Sequence, residues 1–159
     1  MTQKMGSMYQ KTSGSITSIT LRPVKGGPLN RVSVAELTTD EGLLGDHYSG
    51  KSGNRQVTLI LTEQLETIAR NLKLESIDHD QSRRNLLISG LNSSSFSKGM
   101  KIAIGSDAVV EITGDCRPCD RMNQTIGPGA LDAMKGLGGY TARVLKGGTF
   151  RTGDSVRPA

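Results

Sequence analysis

With 159 residues, the chain has the length of one domain, and 35% apolar residues plus 20 Gly supply a core built from short pieces. Two Phe, three Tyr and no Trp exclude nucleic-acid recognition on stacked aromatic platforms, and no stretch nears the about 20 apolar residues of a membrane-spanning helix. The net charge of +5 fits a solvated basic surface or affinity for an anionic ligand, without the basic run of a nucleic-acid tail.

Residues 1–14 are polar, lack the apolar core of a signal peptide and are expected to form a disordered tail before a single domain over 15–159. Two Cys are too few for a disulfide framework and point to a reducing, cytoplasmic setting. Residues 15–21 alternate Ile16, Ile19 and Leu21 with Ser and Thr, a strand with one irregularity. A turn at 23–28 leads to a second strand over 29–37 and a Gly-rich loop over 42–53. Residues 56–61 are apolar enough for a strand buried on both faces. Thr62 is placed to cap a helix whose Leu65, Ile68, Ala69 and Leu72 form one stripe. The polar stretch 75–82, with His79 between Asp78 and Asp80, reads as surface; a strand follows through Ile88. Residues 101–104 and 108–113 form a hairpin across Gly105-Ser106-Asp107. A short helix is predicted over 130–134, and a second hairpin joins 142–145 to 149–151 across Gly147-Gly148. Roughly seven to nine short strands with one strong helix and no β-helix-β alternation argue for a mainly β fold with a few helices, a closed or partly closed barrel.

The chemistry concentrates in Cys116-Arg117-Pro118-Cys119. A thioredoxin-like pair needs a helix after the motif, but Gly127-Pro128-Gly129 leaves none in sight. Structural zinc needs four ligands, and His47 and His79 stand at no ligand spacing. A single reactive thiolate is the third reading. Cys119 lies between Arg117 and Arg121, where positive charge favours the anion, and a soft thiolate suits a soft metal or sulfane sulfur. Two buried, space-filling thiols remain the plain alternative. Arg83-Arg84-Asn85 offers a planar fork for phosphate and an amide for a heterocycle edge, or simply a solvated loop. His47, after Gly45-Asp46, is a candidate anion contact or an exposed loop residue. The glycine pairs near the C-terminus read as tight turns, with anion nests as the alternative.

Gly45-Asp46-His47, 55–60, Arg83-Arg84-Asn85-Leu86 with Ser89-Gly90, Cys116-Arg117-Pro118-Cys119, 129–134, Gly147-Gly148 and Gly153-Asp154 follow one another in an order that resembles the MOSC family, named for the C-terminal domain of molybdenum cofactor sulfurase. The resemblance runs from about Ser15 to Val156. It implies a MOSC-type β-barrel that binds the molybdenum cofactor or carries a persulfide, with Cys119 as catalytic residue and molybdenum ligand. Arg83 and Asn85 match the family's Arg-x-Asn before a strand and are expected to contact the cofactor. Lys25, in Pro23-Val24-Lys25, is the candidate for its phosphate; His47 falls near a basic position of the family, and Arg117, Arg121 and Arg143 complete the expected cationic set. The resemblance implies either an oxidoreductase acting on small N-hydroxylated substrates or a carrier that passes sulfur or cofactor on without turnover. Expected partners are a cysteine desulfurase, a redox partner or a cofactor-accepting protein, with no nucleic acid and no membrane. No pyridoxal phosphate is expected to bind this domain alone, since the sulfurases hold it on a separate domain.

Overall fold

Alternating apolar residues close a barrel. The computed structural model describes residues 13–47 and 53–159; most of the expected N-terminal tail and residues 48–52 of the Gly-rich loop lie outside them. Its strands are β1 (Gly14–Leu21), β2 (Asn30–Val32), β3 (Val34–Thr38), β4 (Gly42–Leu43), β5 (Val57–Leu61), β6 (Leu86–Ser89), β7 (Lys101–Ile104), β8 (Ala108–Asp115), β9 (Tyr140–Lys146), β10 (Gly148–Arg151) and β11 (Ser155–Pro158). Helical segments are α1 (Thr62–Asn71), α2 (His79–Ser82), α3 (Arg121–Thr125) and α4 (Ala130–Ala133), beside two 3-10 turns. Seven strands, in the order β11-β7-β8-β9-β5-β6-β1, close into a barrel because β11 pairs back on β1. Its pairs are antiparallel except β5–β6. A smaller sheet, β10-β3-β4, lies beside it. The irregularity in β1 is a shift of its register with β6 between Ile16 and Ser18, which keeps Ile16 and Ile19 both inside.

The barrel interior is filled by Ile16, Ile19, Val57, Leu59, Leu61, Leu86, Ile88, Ile102, Ile104, Val110, Ile112, Ala142 and Val156. Strand β5 is buried at all five positions because Ile60 points outward into a second cluster with Leu65, Ile68 and Ala69 of α1, Leu87, Met122 and Met134. The predicted stripe of α1 therefore packs on the outside of the barrel, and β5-α1-β6 is one β-helix-β unit that the reading of an unalternated chain did not anticipate. Thr62 is the first helical residue rather than the cap. The backbone N–H of Leu61 donates instead to Gln64 Oε1 at 3.0 Å, satisfying a donor at the helix entry.

Three other expectations are corrected. The strand over 29–37 breaks at Ser33 into β2 and β3, which join different sheets. The glycines at 147 and 148 make no hairpin: β9 pairs with β5 and β8, and β10 with β3. A Cβ on Gly147 would stand 2.7 Å from the Leu37 carbonyl, and one on Gly148 2.8 Å from Asp107 Cβ; the pair permits close passage as the chain leaves the barrel for the small sheet.

The third concerns His79, which is buried, with 4% of its surface exposed. Its Nδ1 lies 2.5 Å from Ser18 Oγ, and its Nε2 is enclosed without a hydrogen-bond partner among the described residues. Burial first, with the charge of Arg31 added, pushes the imidazole down to about 4 from 6.5. A base depressed in the folded state stabilises the fold fully above pH 6.5 and loses that contribution as pH falls toward 4. We expect His79→Gln to remove much of an acid sensitivity amounting to about 3 kcal/mol at its limit. Denaturant unfolding at pH 7 and pH 4 checks this; an equal loss of stability in both proteins contradicts it.

Candidate functional site

The site lies where the end of β1, the starts of β6 and β9, and the end of β8 meet. Its foundation is Asn85, fully buried just before β6. Asn85 Oδ1 accepts from Thr58 N–H at 3.0 Å, Thr58 Oγ1 at 3.1 Å and Arg22 Nη2 at 3.2 Å. Its Nδ2 donates to the Thr20 carbonyl at 3.1 Å and Asp46 Oδ1 at 2.9 Å. Both amide hydrogens and the carbonyl are thus engaged inside the protein. The expectation that Asn85 faces a ligand gives way to a role in holding the site.

Upon Asn85 rests a buried ion pair. Arg22 Nε and Nη2 reach Asp46 Oδ1 and Oδ2 at 3.1 and 3.2 Å, and the Arg22 backbone N–H adds a third bond to Oδ1 at 2.9 Å. Burial alone would raise the Asp46 carboxyl, but the bonds and charge of Arg22, with Asn85, outweigh it and hold it below its usual 3.8. Sequence reasoning missed Arg22. The signal for it is its phase: Ser18, Thr20 and Arg22 follow the alternation of β1 on the face away from the core. His47 joins through two contacts to the Arg22 carbonyl, from its N–H at 2.7 Å and its Nδ1 at 2.9 Å.

Arg22 Nη1 also donates to the Arg83 carbonyl at 3.1 Å. Arg83 sits in the left-handed region, φ 58°, ending α2, and its partly buried side chain bonds the Gly27 carbonyl at 3.1 Å. Arg121 Nη1 reaches the Gly26 carbonyl at 3.4 Å. The turn bearing exposed Lys25 is thereby clasped to both arginines. Burial, then the charges of Arg121 and Arg22, press Arg83 below its ordinary value, while Cys119 and Asp46 oppose that shift. These mutual effects place Arg83, Arg121 and Cys119 in one neighbourhood, beside the turn that carries Lys25.

Arg84, read in the sequence as part of the Arg83-Arg84-Asn85 fork, is turned inward. It is 3% exposed, and its guanidinium donates to the carbonyls of Gly138 at 2.7 Å, Ser82 at 3.3 Å and Cys116 at 3.3 Å. Gly138 is required here, because a Cβ would come within 2.4 Å of the Cys116 carbonyl. Among the described residues, Arg83, Arg84 and Arg121 bond carbonyl oxygens and form no ion pair. Cys119 is exposed and Cys116 buried. One helical turn, α3, does follow the motif, correcting the expectation that none would. A cleft of about 400 Å3 opens beside Cys116, Arg117 and Pro118, walled by Leu131 and Lys135. Arg143 stands apart from this assembly: its Nη2 pairs with Glu111 at 2.7 Å across β8 and β9. Among the described residues no three His, Cys, Asp or Glu are grouped to hold a bare metal ion.

The profile of the MOSC domain matches residues 23–157. No curated protein matches the sequence. Among solved structures, the YuaD protein of Bacillus subtilis superposes with a TM-score of 0.83 at 19% identity, over 94% of this chain and 97% of that one. YiiM of Geobacillus stearothermophilus superposes at 0.67 and 14% identity, over 94% and 74% of the two chains. YiiM of Escherichia coli does so at 0.66 and 18%, over 91% and 69%. At these identities the likeness is one of fold.

Proposed function

The chain belongs to the MOSC domain family, and from that premise we propose that it binds the molybdenum cofactor at the rim of its barrel. One observation carries the reading: an exposed thiol, Cys119, shares its surroundings with guanidinium groups that have no carboxylate of their own. A phosphate-bearing ligand is the complement of that excess charge. The donor set also fits the metal, since the protein offers one soft sulfur to a metal that arrives with ligands of its own. Cys119 would ligate molybdenum; Arg83, Arg121 and Lys25 would hold the phosphate. Bound there, the cofactor would supply a redox metal centre, and reduction of small N-hydroxylated compounds is the proposed turnover. Asn85, Arg22 and Asp46 hold the arginine cluster in place, and Arg84 fixes the backbone that presents the thiol.

The exposure of Cys119 favours a second reading, in which it carries sulfur or cofactor to a partner protein and receives it from a donor such as a cysteine desulfurase. Both readings need the cationic cluster or the thiol, and they separate on whether the loaded protein turns over by itself.

Arg83→Glu tests the phosphate site. We expect the variant to bind the cofactor about tenfold to a hundredfold more weakly, as loss of one charge-assisted hydrogen bond requires. Its unfolding midpoint should stay near that of wild type, because the side chain is partly exposed and its one bond runs to the Gly27 carbonyl. Titration monitored by pterin fluorescence measures the affinity, and unchanged binding by the folded variant removes Arg83 from the site.

A further inference from the structure

Cys116 has no task in the function proposed above. We propose that Cys116 is a resolving thiol, which discharges a sulfane sulfur held on Cys119 as hydrosulfide and closes a Cys116–Cys119 disulfide. The inference rests on reading Cys119 as a sulfur-accepting thiolate and adds a release step within the same chain.

Three observations point to it. The two free thiols are three residues apart in sequence, one exposed and one 1% exposed, so an outside sulfur donor meets Cys119 while Cys116 is reserved for a neighbouring sulfur. The backbone of Cys116 is fixed from both sides: its N–H donates to the Gly139 carbonyl at 2.8 Å, and its carbonyl accepts from Arg84 at 3.3 Å. The same Arg84 guanidinium, which bonds only carbonyls, is favoured by negative charge on either sulfur. A fixed positive charge bonded to the Cys116 carbonyl lowers the cost of negative charge in this motif. The cleft of about 400 Å3 reaches Cys116, and Arg117 and Lys135 on its wall put positive charge beside that thiol.

The chemistry balances in two displacements. Cys119 as thiolate attacks a sulfane sulfur of a low-molecular-weight polysulfide; a new S–S bond forms, the donor's S–S bond breaks, and the shortened polysulfide leaves with the electron pair. Cys116 then attacks Cys119 Sγ. The Cys116–Cys119 bond forms, the bond to the outer sulfur breaks, and that sulfur leaves with the pair as hydrosulfide, taking the proton Cys116 gives up. Cys116 is oxidised and the outer sulfur reduced. A dithiol reductant restores both thiols.

The test uses the full chain under anaerobic conditions. Reduced protein is treated with inorganic polysulfide, desalted and incubated without thiol, while hydrosulfide release and intact mass are followed together. Wild type is expected to release hydrosulfide and to end two hydrogens lighter than the reduced chain. Cys116→Ser and Cys116→Ala, each verified as folded by its thermal melt, should retain the added sulfur and release it about tenfold more slowly or less. Release at the wild-type rate from either folded variant overturns the proposal. So does wild type that takes up sulfur and forms no internal disulfide, a result that needs no variant. Sulfur uptake by Cys119→Ser equal to wild type would instead overturn the reading of Cys119 on which this rests.

Discussion

Arg22→Ala is expected to lower the unfolding free energy at pH 7 by about 3–5 kcal/mol, the cost of breaking a buried ion pair from one side. Asp46 has no exposed side-chain surface and Arg22 keeps only 6%, so the stranded carboxylate cannot be rehydrated in place. The lost guanidinium also removes the donor to the Arg83 carbonyl and one of the three donors to Asn85 Oδ1. Replacing both partners by apolar residues, Arg22→Met with Asp46→Leu, should be much milder, because no uncompensated charge remains. The acid limb of stability supplies a second readout. Asp46 is depressed when folded, so its contribution is complete above pH 3.8 and disappears as pH falls through the folded value. In Arg22→Ala burial dominates the carboxyl, so the dependence should reverse and stability should fall as pH rises above 3.8. Urea unfolding across pH measures both effects, and a single-variant loss below about 1 kcal/mol would make the pair a spectator.

The second large effect is the contrast between the two thiols. Iodoacetamide should modify Cys119 about a hundredfold faster than Cys116, because a buried sulfur reacts only through local opening. The prediction follows from burial alone, with Cys119 exposed and Cys116 enclosed. Cys119→Ser should abolish the fast phase and Cys116→Ser should leave it intact. Peptide mass mapping of partially alkylated protein decides the matter; comparable labelling of both sulfurs would show a loop more open than the one described.

Periodicity carried the parts of this fold that depend on near neighbours. The β7–β8 hairpin could be read from Gly105-Ser106-Asp107 between alternating segments, and α1 from its four-residue stripe, because turn chemistry and amphipathic spacing are local. Gly147-Gly148 misled for the opposite reason. Its glycines answer a close approach to Leu37 and Asp107, residues distant in sequence, and a glycine pair looks the same whether it turns the chain or lets another segment pass. His79 looked exposed between two aspartates, yet its side chain turns under α2 toward Ser18. A helix of one turn has too little period to show which residue faces inward.

The site was legible as chemistry and not as architecture. Cys119, Arg83 and Arg121 were singled out by residue type and Lys25 by the family resemblance; the turn that bears Lys25 is bonded to Arg83 and Arg121. Asn85 was identified too, but its bonds to Thr58, Arg22, Thr20 and Asp46 make it the interior support of the cluster. Arg22 escaped notice because an arginine ending a strand usually lies in solvent; only the buried Asp46, twenty-four residues on, makes it a core residue. Arg143 shows the reverse error: a cation near the motif in kind, yet occupied across the sheet by Glu111.

The central claim is that Cys119 and the surrounding guanidinium groups bind the molybdenum cofactor. Its most direct test is molybdenum per chain, by elemental analysis, after anaerobic loading with free cofactor, on wild type, Cys119→Ser and Cys116→Ser. The account predicts near-stoichiometric metal in wild type and in Cys116→Ser, and loss of most of it in Cys119→Ser. Wild type that retains no molybdenum, or Cys119→Ser that retains as much as wild type, would contradict it.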